Sequence, residues 1–185
     1  MYEDIKKSIL SSPVIDKNGY LYIVHPITDG VPRMEPNILR EVIDWAKENG
    51  DFDCDVLLTP EAMGIPIAVP LSLELNIPYL IVRKKKYDLP GEICIHQKTG
   101  YSKSEMYING LHKGDRVTII DDVLSTGGTL RVMVDALEKN GIKVVNAIIV
   151  FNKGEHRESL KKELGIDIVT MIDIGVRDGK PIYLD

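Results

Sequence analysis

The chain has 185 residues, which is enough for one domain with a substantial buried core. Hydrophobic residues make up 44% and charged residues 28%, as in globular proteins, so the composition argues against disorder. The formal net charge of −5 argues against general nucleic-acid or membrane binding, so a polyanionic ligand would need local positive groups.

The N-terminal part of the chain, up to about residue 34, shows no regular alternation of strand-like and helix-like segments. Residues 1–7 lack the apolar region of a signal peptide, and no apolar run approaches the length of a membrane span. We therefore expect a cytoplasmic protein that binds neither membranes nor nucleic acids. Tyr20–Arg33 mixes β-forming residues with prolines and a glycine, and so interrupts any regular alternation.

From residue 35 onward, apolar runs alternate with segments of helical period. The predicted strands are Asp55–Thr59, Tyr79–Val82, Val117–Asp121, Val144–Phe151 and Asp167–Ile172. The predicted helices are Glu35–Asn49, Gly64–Asn76, Thr126–Asn140 and Arg157–Leu164. Repeated strand–helix–strand units predict right-handed crossovers, and therefore a single doubly wound α/β domain with a mostly parallel, five-stranded sheet.

Two further segments depart from this alternation. Pro90–Gly114 is polar and contains only short strand-like pieces, and a long irregular insertion in a compact domain is usually functional, often as a lid. The C-terminal tail, Gly175–Asp185, contains the turn signal Asp178-Gly179. We expect the tail either to pair with the N-terminal segment or to form a simple edge hairpin.

The cysteines and histidines do not indicate a metal site. Cys54 and Cys94 lack metal-ligand spacing and are interpreted as buried thiols. The four histidines are scattered, without the H-x-x-x-H pairing of many zinc sites. We therefore expect no structural zinc and no direct protein ligand to a metal.

The most informative segment is Val117–Thr129, in which a strand leads into two carboxylates and a Ser/Thr/Gly loop. The carboxyl end of the strand should place Asp121 and Asp122 in the crevice where open α/β sheets bind ligands. Carboxylates accept hydrogen bonds from vicinal hydroxyls such as a ribose 2′,3′-diol. Glycines and helix-start N–H groups suit a phosphate. The residues of this predicted phosphate loop are Ser125, Thr126, Gly127, Gly128 and Thr129.

This segment closely resembles the phosphoribosyl-pyrophosphate (PRPP) motif of type I phosphoribosyltransferases, and the similarity extends from about Val31 through Ile172. The resemblance implies the type I fold, with a small hood formed by residues 1–34 and 175–185 and a mobile loop over about residues 90–114. The overall pattern is most similar to archaeal-type hypoxanthine/guanine phosphoribosyltransferases, which combine an adenine-type scaffold with use of 6-oxopurines. In the mobile loop, Tyr101 and Ser102 are identified as the family's aromatic–hydroxyl pair.

The loop after the first strand resembles the pyrophosphate loop of the adenine and xanthine enzymes. It carries their Glu-x-x-Gly pattern as Glu61, Ala62, Met63 and Gly64. Many adenine enzymes have arginine at the position of Met63, so here the backbone N–H groups are the expected contacts. The residues alone leave an ordinary strand–helix turn as the alternative.

A basic run follows the second strand directly. Arg83 offers a bidentate fork to pyrophosphate, and Lys84 and Lys86 offer point charges. A solvated basic loop is the alternative.

Residues at the end of the fourth predicted strand indicate which purine base the enzyme would accept. In 6-oxopurine enzymes a lysine at the position of Lys153 donates to O6, and a lysine suits a carbonyl oxygen because it has donors and no acceptor. Phe151, or a nearby apolar residue, is expected to line the base pocket. A solvated lysine is the alternative. Long-type hypoxanthine–guanine enzymes have aspartate where Ser125 stands, which leaves the general base unassigned.

The resemblance therefore implies a purine-salvage enzyme. It would transfer the 5-phosphoribosyl group from PRPP to hypoxanthine and guanine, giving IMP or GMP and pyrophosphate. Mg²⁺ is expected to arrive with PRPP, bound mainly by substrate oxygens and water, and a homodimer is implied. The alternatives are an adenine phosphoribosyltransferase and, less favoured by the acidic charge, a non-catalytic PRPP-binding regulator.

Overall fold

A central β-sheet organises the chain, and the computed structural model describes residues 2–98 and 103–184. The strands are β1 (Val14–Lys17), β2 (Tyr20–Ile23), β3 (Val56–Pro60), β4 (Tyr79–Val82), β5 (Ile93–Lys98), β6 (Lys103–Ile108), β7 (Arg116–Leu124), β8 (Lys143–Asn152), β9 (Asp167–Arg177) and β10 (Lys180–Leu184). The helices are α1 (Glu3–Ser11), α2 (Pro26–Asp29), α3 (Pro36–Asn49), α4 (Ile65–Leu75), α5 (Gly128–Lys139) and α6 (Arg157–Leu164).

The five predicted strands form the parallel part of this sheet. The sheet order is β10-β9-β8-β7-β3-β4, in which β9, β8, β7, β3 and β4 are parallel and β10 is antiparallel to β9. The prediction of a mostly parallel α/β sheet is therefore confirmed. A sixth strand joins it because the C-terminal tail folds back as an edge hairpin, which is the second of the two outcomes expected for that tail.

Helices cover both faces of the sheet, since the strands are apolar on both sides. The core on one face includes Leu130 and Leu137 of α5 and Leu160 of α6. The opposite core includes Val42 of α3 and Leu71 of α4. Within residues 2–98 and 103–184, no helix combines the length and the apolarity that a bilayer crossing requires.

The N-terminal segment is more regular than the sequence predicted. The helix α1 was not predicted, and it packs against α3 and β10 through Ile5 and Ile9. The strands β1 and β2 form an antiparallel hairpin, and α2 ends at Gly30, whose φ of 66° is left-handed. Lys6 of α1 lies 4.8 Å from the ring centre of Tyr183 in β10. The N-terminal segment and the tail therefore pack together, although their strands are not paired with each other.

The insertion between β4 and β7 also differs from the prediction of an irregular segment. Its strands β5 and β6 form an antiparallel hairpin of six residues each. Alternate side chains of the hairpin enter the α5-side core, and these are Ile93, Ile95, Met106 and Ile108. The period of two was too short on each side of the turn to reveal this arrangement from sequence. Tyr101 and Ser102 lie outside the described residues.

The sequence interpretation had both cysteines buried, and this is wrong. Cys54 is half-buried and Cys94 is exposed. Cys94 is exposed because it lies on the outer face of the hairpin, between Ile93 and Ile95, which point into the core.

One buried histidine joins the N-terminal segment to the sheet. His25 is 1% exposed, and its Nδ1 accepts a hydrogen bond of 3.1 Å from the backbone N–H of Ile27. Its Nε2 lies 3.0 Å from Oγ of Ser8 in α1, and its ring packs edge-on against Phe151, with 5.0 Å between ring centres. Burial lowers the pKa of His25 to about 4. Protonation is disfavoured because a proton on Nδ1 would face the N–H of Ile27.

We expect His25 to make stability fall as the pH is lowered. Its folded pKa of about 4 lies below its unfolded value of about 6.5, so only the unfolded state takes up a proton between those values. The loss in the free energy of unfolding should be about 2 kcal/mol between about pH 7.5 and about pH 5. Urea denaturation of the parent and of His25→Asn at both pH values measures this. An equal pH dependence in the two proteins would contradict it.

Candidate active site

The two motif carboxylates lie within a strand rather than at its end. β7 continues to Leu124 because Val123 and Leu124 pair with β8, so the predicted strand end at Asp121 was three residues too early. Successive residues of a strand point to opposite faces of the sheet. Asp121 consequently lines a cavity of about 240 Å³ on the α5 side, whereas Asp122 interacts with charged groups on the opposite side.

Desolvation controls the charge of both carboxyls. Burial raises the pKa of Asp121 well above its ordinary value, and the negative charge of Asp122 raises it further. Burial likewise raises the pKa of Asp122, while the ammonium of Lys153 lowers it. The backbone N–H of Asp122 donates to Oδ1 of Asp121 at 2.9 Å. A ligand that donates hydrogen bonds or brings positive charge would favour the ionised forms.

The predicted phosphate loop, residues 125–129, encloses the cavity that Asp121 lines. Gly127 precedes α5 with a φ of 75°, and a Cβ there would lie 2.3 Å from Cδ1 of Leu160. Ser125 and Thr126 are exposed, and Oγ1 of Thr126 accepts from the N–H of Gly128 at 3.4 Å. The structure thus brings all five predicted residues of this loop together at the N-terminus of α5, where N–H groups suit an anion.

The loop after β3 lies directly on β7. Gly64 has no side chain, and a Cβ there would be 2.2 Å from Oγ1 of Thr59 and 2.9 Å from the carbonyl oxygen of Ile120. The last of these atoms belongs to the residue before Asp121. Only glycine therefore permits this approach, which places the predicted pyrophosphate loop beside the acidic pair.

The other residues of the loop have different surroundings. The peptide bond between Glu61 and Ala62 is cis. Met63 turns toward the hood, where its Cε lies 3.6 Å from the position that a Cβ on Gly30 would take. Its thioether therefore packs against the hood, which agrees with the expectation that backbone groups would be the loop's ligand contacts.

The basic run after β4 is tied to the same loop. Nε of Arg83 lies 2.5 Å from Oε2 of Glu61, and the backbone N–H of Lys84 donates to Oε1 of Glu61 at 2.9 Å. These groups lower the pKa of Glu61, with the Lys84 backbone hydrogen bond as the largest cause. The expected fork of Arg83 is thus engaged by a protein carboxylate. Lys84 is exposed, and Lys86 forms an ion pair with Asp88.

A cavity of about 490 Å³ lies between the hood and the carboxyl edge of the sheet. Lys153 lines it, and Nζ of Lys153 lies 4.5 Å from the ring centre of Tyr22 in β2. The hydroxyl of Tyr22 donates to Oδ1 of Asp29 at 2.8 Å. Burial lowers the pKa of Lys153, and the charges of Asp29 and Asp122 oppose that shift. The lysine is therefore a partly buried donor beside the ring of Tyr22.

The apolar lining of this cavity does not include Phe151, the first of the two options expected for it. Phe151 is 0% exposed and packs against His25. Ile23 of the hood, with Ile174 and Val176 of β9, supplies the apolar surface instead. Ile174 and Val176 were missed because β9 runs five residues beyond its predicted end, and Ile23 was missed because it belongs to the hood. Tyr22 and Asp29 were missed because they reach the site through the hood, which no local pattern revealed.

The chain is similar in sequence and in structure to several known proteins. The model of the phosphoribosyl transferase domain matches residues 33–176. A hypoxanthine/guanine phosphoribosyltransferase from Methanocella paludicola is 47% identical over 95% of this chain and 92% of its own length. One from Methanohalophilus mahii is 48% identical over 100% of this chain and 97% of its own. The solved adenine phosphoribosyltransferase of Thermoanaerobacter pseudethanolicus has a TM-score of 0.75 and 24% identity, covering 94% of this chain and 99% of that one.

Proposed function

This chain belongs to the phosphoribosyltransferase family, and we propose that it is a purine-salvage enzyme that transfers the 5-phosphoribosyl group of PRPP to hypoxanthine and guanine. The products are IMP or GMP and pyrophosphate. The observation that carries this proposal is the identity of 47% and 48%, over nearly the whole chain, to proteins named for that activity. The likeness to adenine enzymes, at 24% identity, concerns the fold.

The ribose phosphate is proposed to bind along the carboxyl edge of β7. The phosphate loop, residues 125–129, receives the 5′-phosphate through backbone N–H groups and hydroxyls. Asp121 lines that cavity and Asp122 follows it directly in β7, so the two carboxylates are proposed to accept hydrogen bonds from the two ribose hydroxyls. This arrangement fixes C1′ between the base pocket and the pyrophosphate loop.

The leaving pyrophosphate is proposed to lie against residues 61–64 and the nearby lysines. Backbone N–H groups of Ala62, Met63 and Gly64 are its proposed contacts, and Lys84 adds charge from the adjoining loop. Lys86 and Arg83 would contribute after exchanging their present carboxylate partners. Tyr101 and Ser102 remain predictions for closure of the site.

Mg²⁺ fits this site when it is bound through PRPP. The half-buried carboxyls of Asp121 and Asp122 have raised pKa values, and a nearby cation would favour their ionised forms. When bound, the ion neutralises charge that accumulates on the departing pyrophosphate. The protein contributes orientation and exclusion of water, and no protein nucleophile is needed because the purine nitrogen attacks C1′ directly.

Base selection is proposed to depend on Lys153. The cavity beneath the hood is apolar on the β9 side and presents the ammonium of Lys153 beside the ring of Tyr22. A 6-oxopurine offers a carbonyl oxygen to that donor, whereas adenine offers an amino group. On the hood side, the 2.8 Å hydrogen bond from Tyr22 to Asp29 keeps the ring of Tyr22 in position beside Lys153.

The proposed activity is tested by supplying the purified protein with PRPP, Mg²⁺ and each free base in turn. We expect nucleotide and pyrophosphate to form with hypoxanthine and guanine. Adenine should react at least tenfold less efficiently, because a donor that faces an amino group is left unpaired at a cost of roughly 1–3 kcal/mol. Equal or better use of adenine would establish the adenine alternative. PRPP binding without turnover of any base would indicate the regulator.

Replacing Asp121 and Asp122 together by asparagine should weaken PRPP binding by more than tenfold. Hydrogen bonds to charged acceptors contribute roughly 1.5–3 kcal/mol, and the double variant loses the charge of both acceptors. Calorimetric titration with PRPP and Mg²⁺ measures the change, and thermal unfolding should show an intact fold. Asp135→Asn, on the exposed side of α5, is the matched control. Unchanged affinity in the double variant would contradict the assignment.

Replacing Lys153 by alanine should lower kcat/KM for hypoxanthine and guanine by tenfold to a hundredfold, through loss of a charged donor. The value for adenine should change much less, so the preference between bases narrows. Lys143→Ala, at the exposed start of β8, serves as the control. If both base classes lose activity in equal proportion, Lys153 does not select the base.

A further inference from the structure

The outer face of the β5–β6 hairpin carries a cluster of side chains that the proposed reaction does not use. Cys94 and His96 are two residues apart on β5 and therefore point to the same face. Glu105 stands directly opposite His96 on β6, and Tyr107 stands opposite Cys94. The side chains on the other face of each strand are buried in the core. The pairing of the two strands therefore holds the outer side chains next to one another.

The separations within this cluster match those of ligands around one cation. Nδ1 of His96 lies 3.3 Å from Oε1 of Glu105 and 4.0 Å from Sγ of Cys94, and the sulfur, ring-nitrogen and carboxylate ligand atoms all lie within 4.8 Å of one another. Zinc bonds of about 2.0–2.1 Å to nitrogen or oxygen and about 2.3 Å to sulfur, at tetrahedral angles, give separations of about 3.3 Å and about 3.6 Å. The nitrogen–oxygen pair already has the separation expected around zinc, and the sulfur of Cys94 would move toward both of these atoms when a cation binds.

A neighbouring residue orients one of the ligands. The hydroxyl of Tyr107 donates to Oε2 of Glu105 at 2.5 Å, which leaves Oε1 directed toward His96. Hydrogen bonds of this kind commonly fix the carboxylates that bind metals. The backbone of Tyr107 is itself anchored, because it exchanges hydrogen bonds of 2.9 Å and 2.7 Å with Arg83. The cluster thus has defined geometry although Cys94, His96 and Glu105 are exposed.

We infer that Cys94, His96 and Glu105 form a binding site for one zinc-class divalent cation. A thiolate, an imidazole and a carboxylate suit borderline-soft ions such as Zn²⁺ or Co²⁺, whereas Mg²⁺ prefers oxygen ligands alone. Three protein ligands leave a fourth position for water or another ligand. The ion would link β5 to β6. Because Tyr107 is hydrogen-bonded both to Glu105 and to the backbone of Arg83, the ion would also stabilise the position of Arg83. This inference is independent of the proposed function.

Cobalt titration tests the site directly. Metal-free, reduced protein is titrated with Co²⁺ in excess Mg²⁺ and without PRPP, and the thiolate-to-cobalt charge-transfer absorption is recorded. We expect one equivalent of Co²⁺ to bind with that absorption, and Zn²⁺ to displace it. Cys94→Ser should abolish the absorption. His96→Gln and Glu105→Gln should each weaken Co²⁺ binding at least tenfold.

Variants outside the cluster control for non-specific cobalt binding, and hydrogen exchange provides a second measurement. Cys54→Ser and His112→Gln replace a thiol and an exposed imidazole outside the cluster, and should bind Co²⁺ as the parent does. Hydrogen exchange of the amides of β5 and β6 should slow when Zn²⁺ is added to the parent, but not to Glu105→Gln. Absence of the charge-transfer absorption in the parent, or its persistence in Cys94→Ser, would overturn the inference. Turnover in Mg²⁺ alone would still support the proposed enzyme.

Discussion

The structure depends on the parallel pairing of β7 between β3 and β8. This pairing brings the carboxyl ends of three strands to one edge, and each is followed by a loop that carries polar or charged groups. The contact is closest where Gly64 lies against β7, since any side chain there would overlap Thr59 and the backbone of Ile120. The acidic pair, the loop after β3 and the phosphate loop are therefore positioned by the same packing that forms the core.

The electrostatics of this edge follow from partial burial. Two adjacent carboxyls and a lysine are largely removed from water, and burial disfavours the charged form of each. The attraction between Lys153 and Asp122 offsets only part of that cost, and the two carboxylates repel each other. A site of this kind is suited to a ligand that carries its own hydroxyls and cations, because binding then restores the interactions that burial removed. PRPP with Mg²⁺ has both features.

The hood side of the cavity comes from a distant part of the chain. Tyr22 and Asp29 lie more than ninety residues before Asp122 in sequence, yet they lie beside Lys153 in the fold. His25 anchors this segment through contacts with α1 and β8. The pocket beneath the hood therefore depends on tertiary packing of the N-terminus against the sheet, in contrast to the phosphate loop, which is formed from one continuous segment.

The sequence by itself determined the parallel sheet, its crossover helices and the phosphate loop, because each is encoded by a local period or by consecutive residues. Residues 125–129 are consecutive and lie together at the N-terminus of α5. Only the tertiary structure decided that Phe151 packs against His25, that Arg83 pairs with Glu61, and that the tail pairs with β9. It also brought Glu105 beside Cys94 and His96. These contacts depend on strand register and side-chain direction between segments far apart in sequence, and a one-residue change in register would reverse which face each side chain occupies.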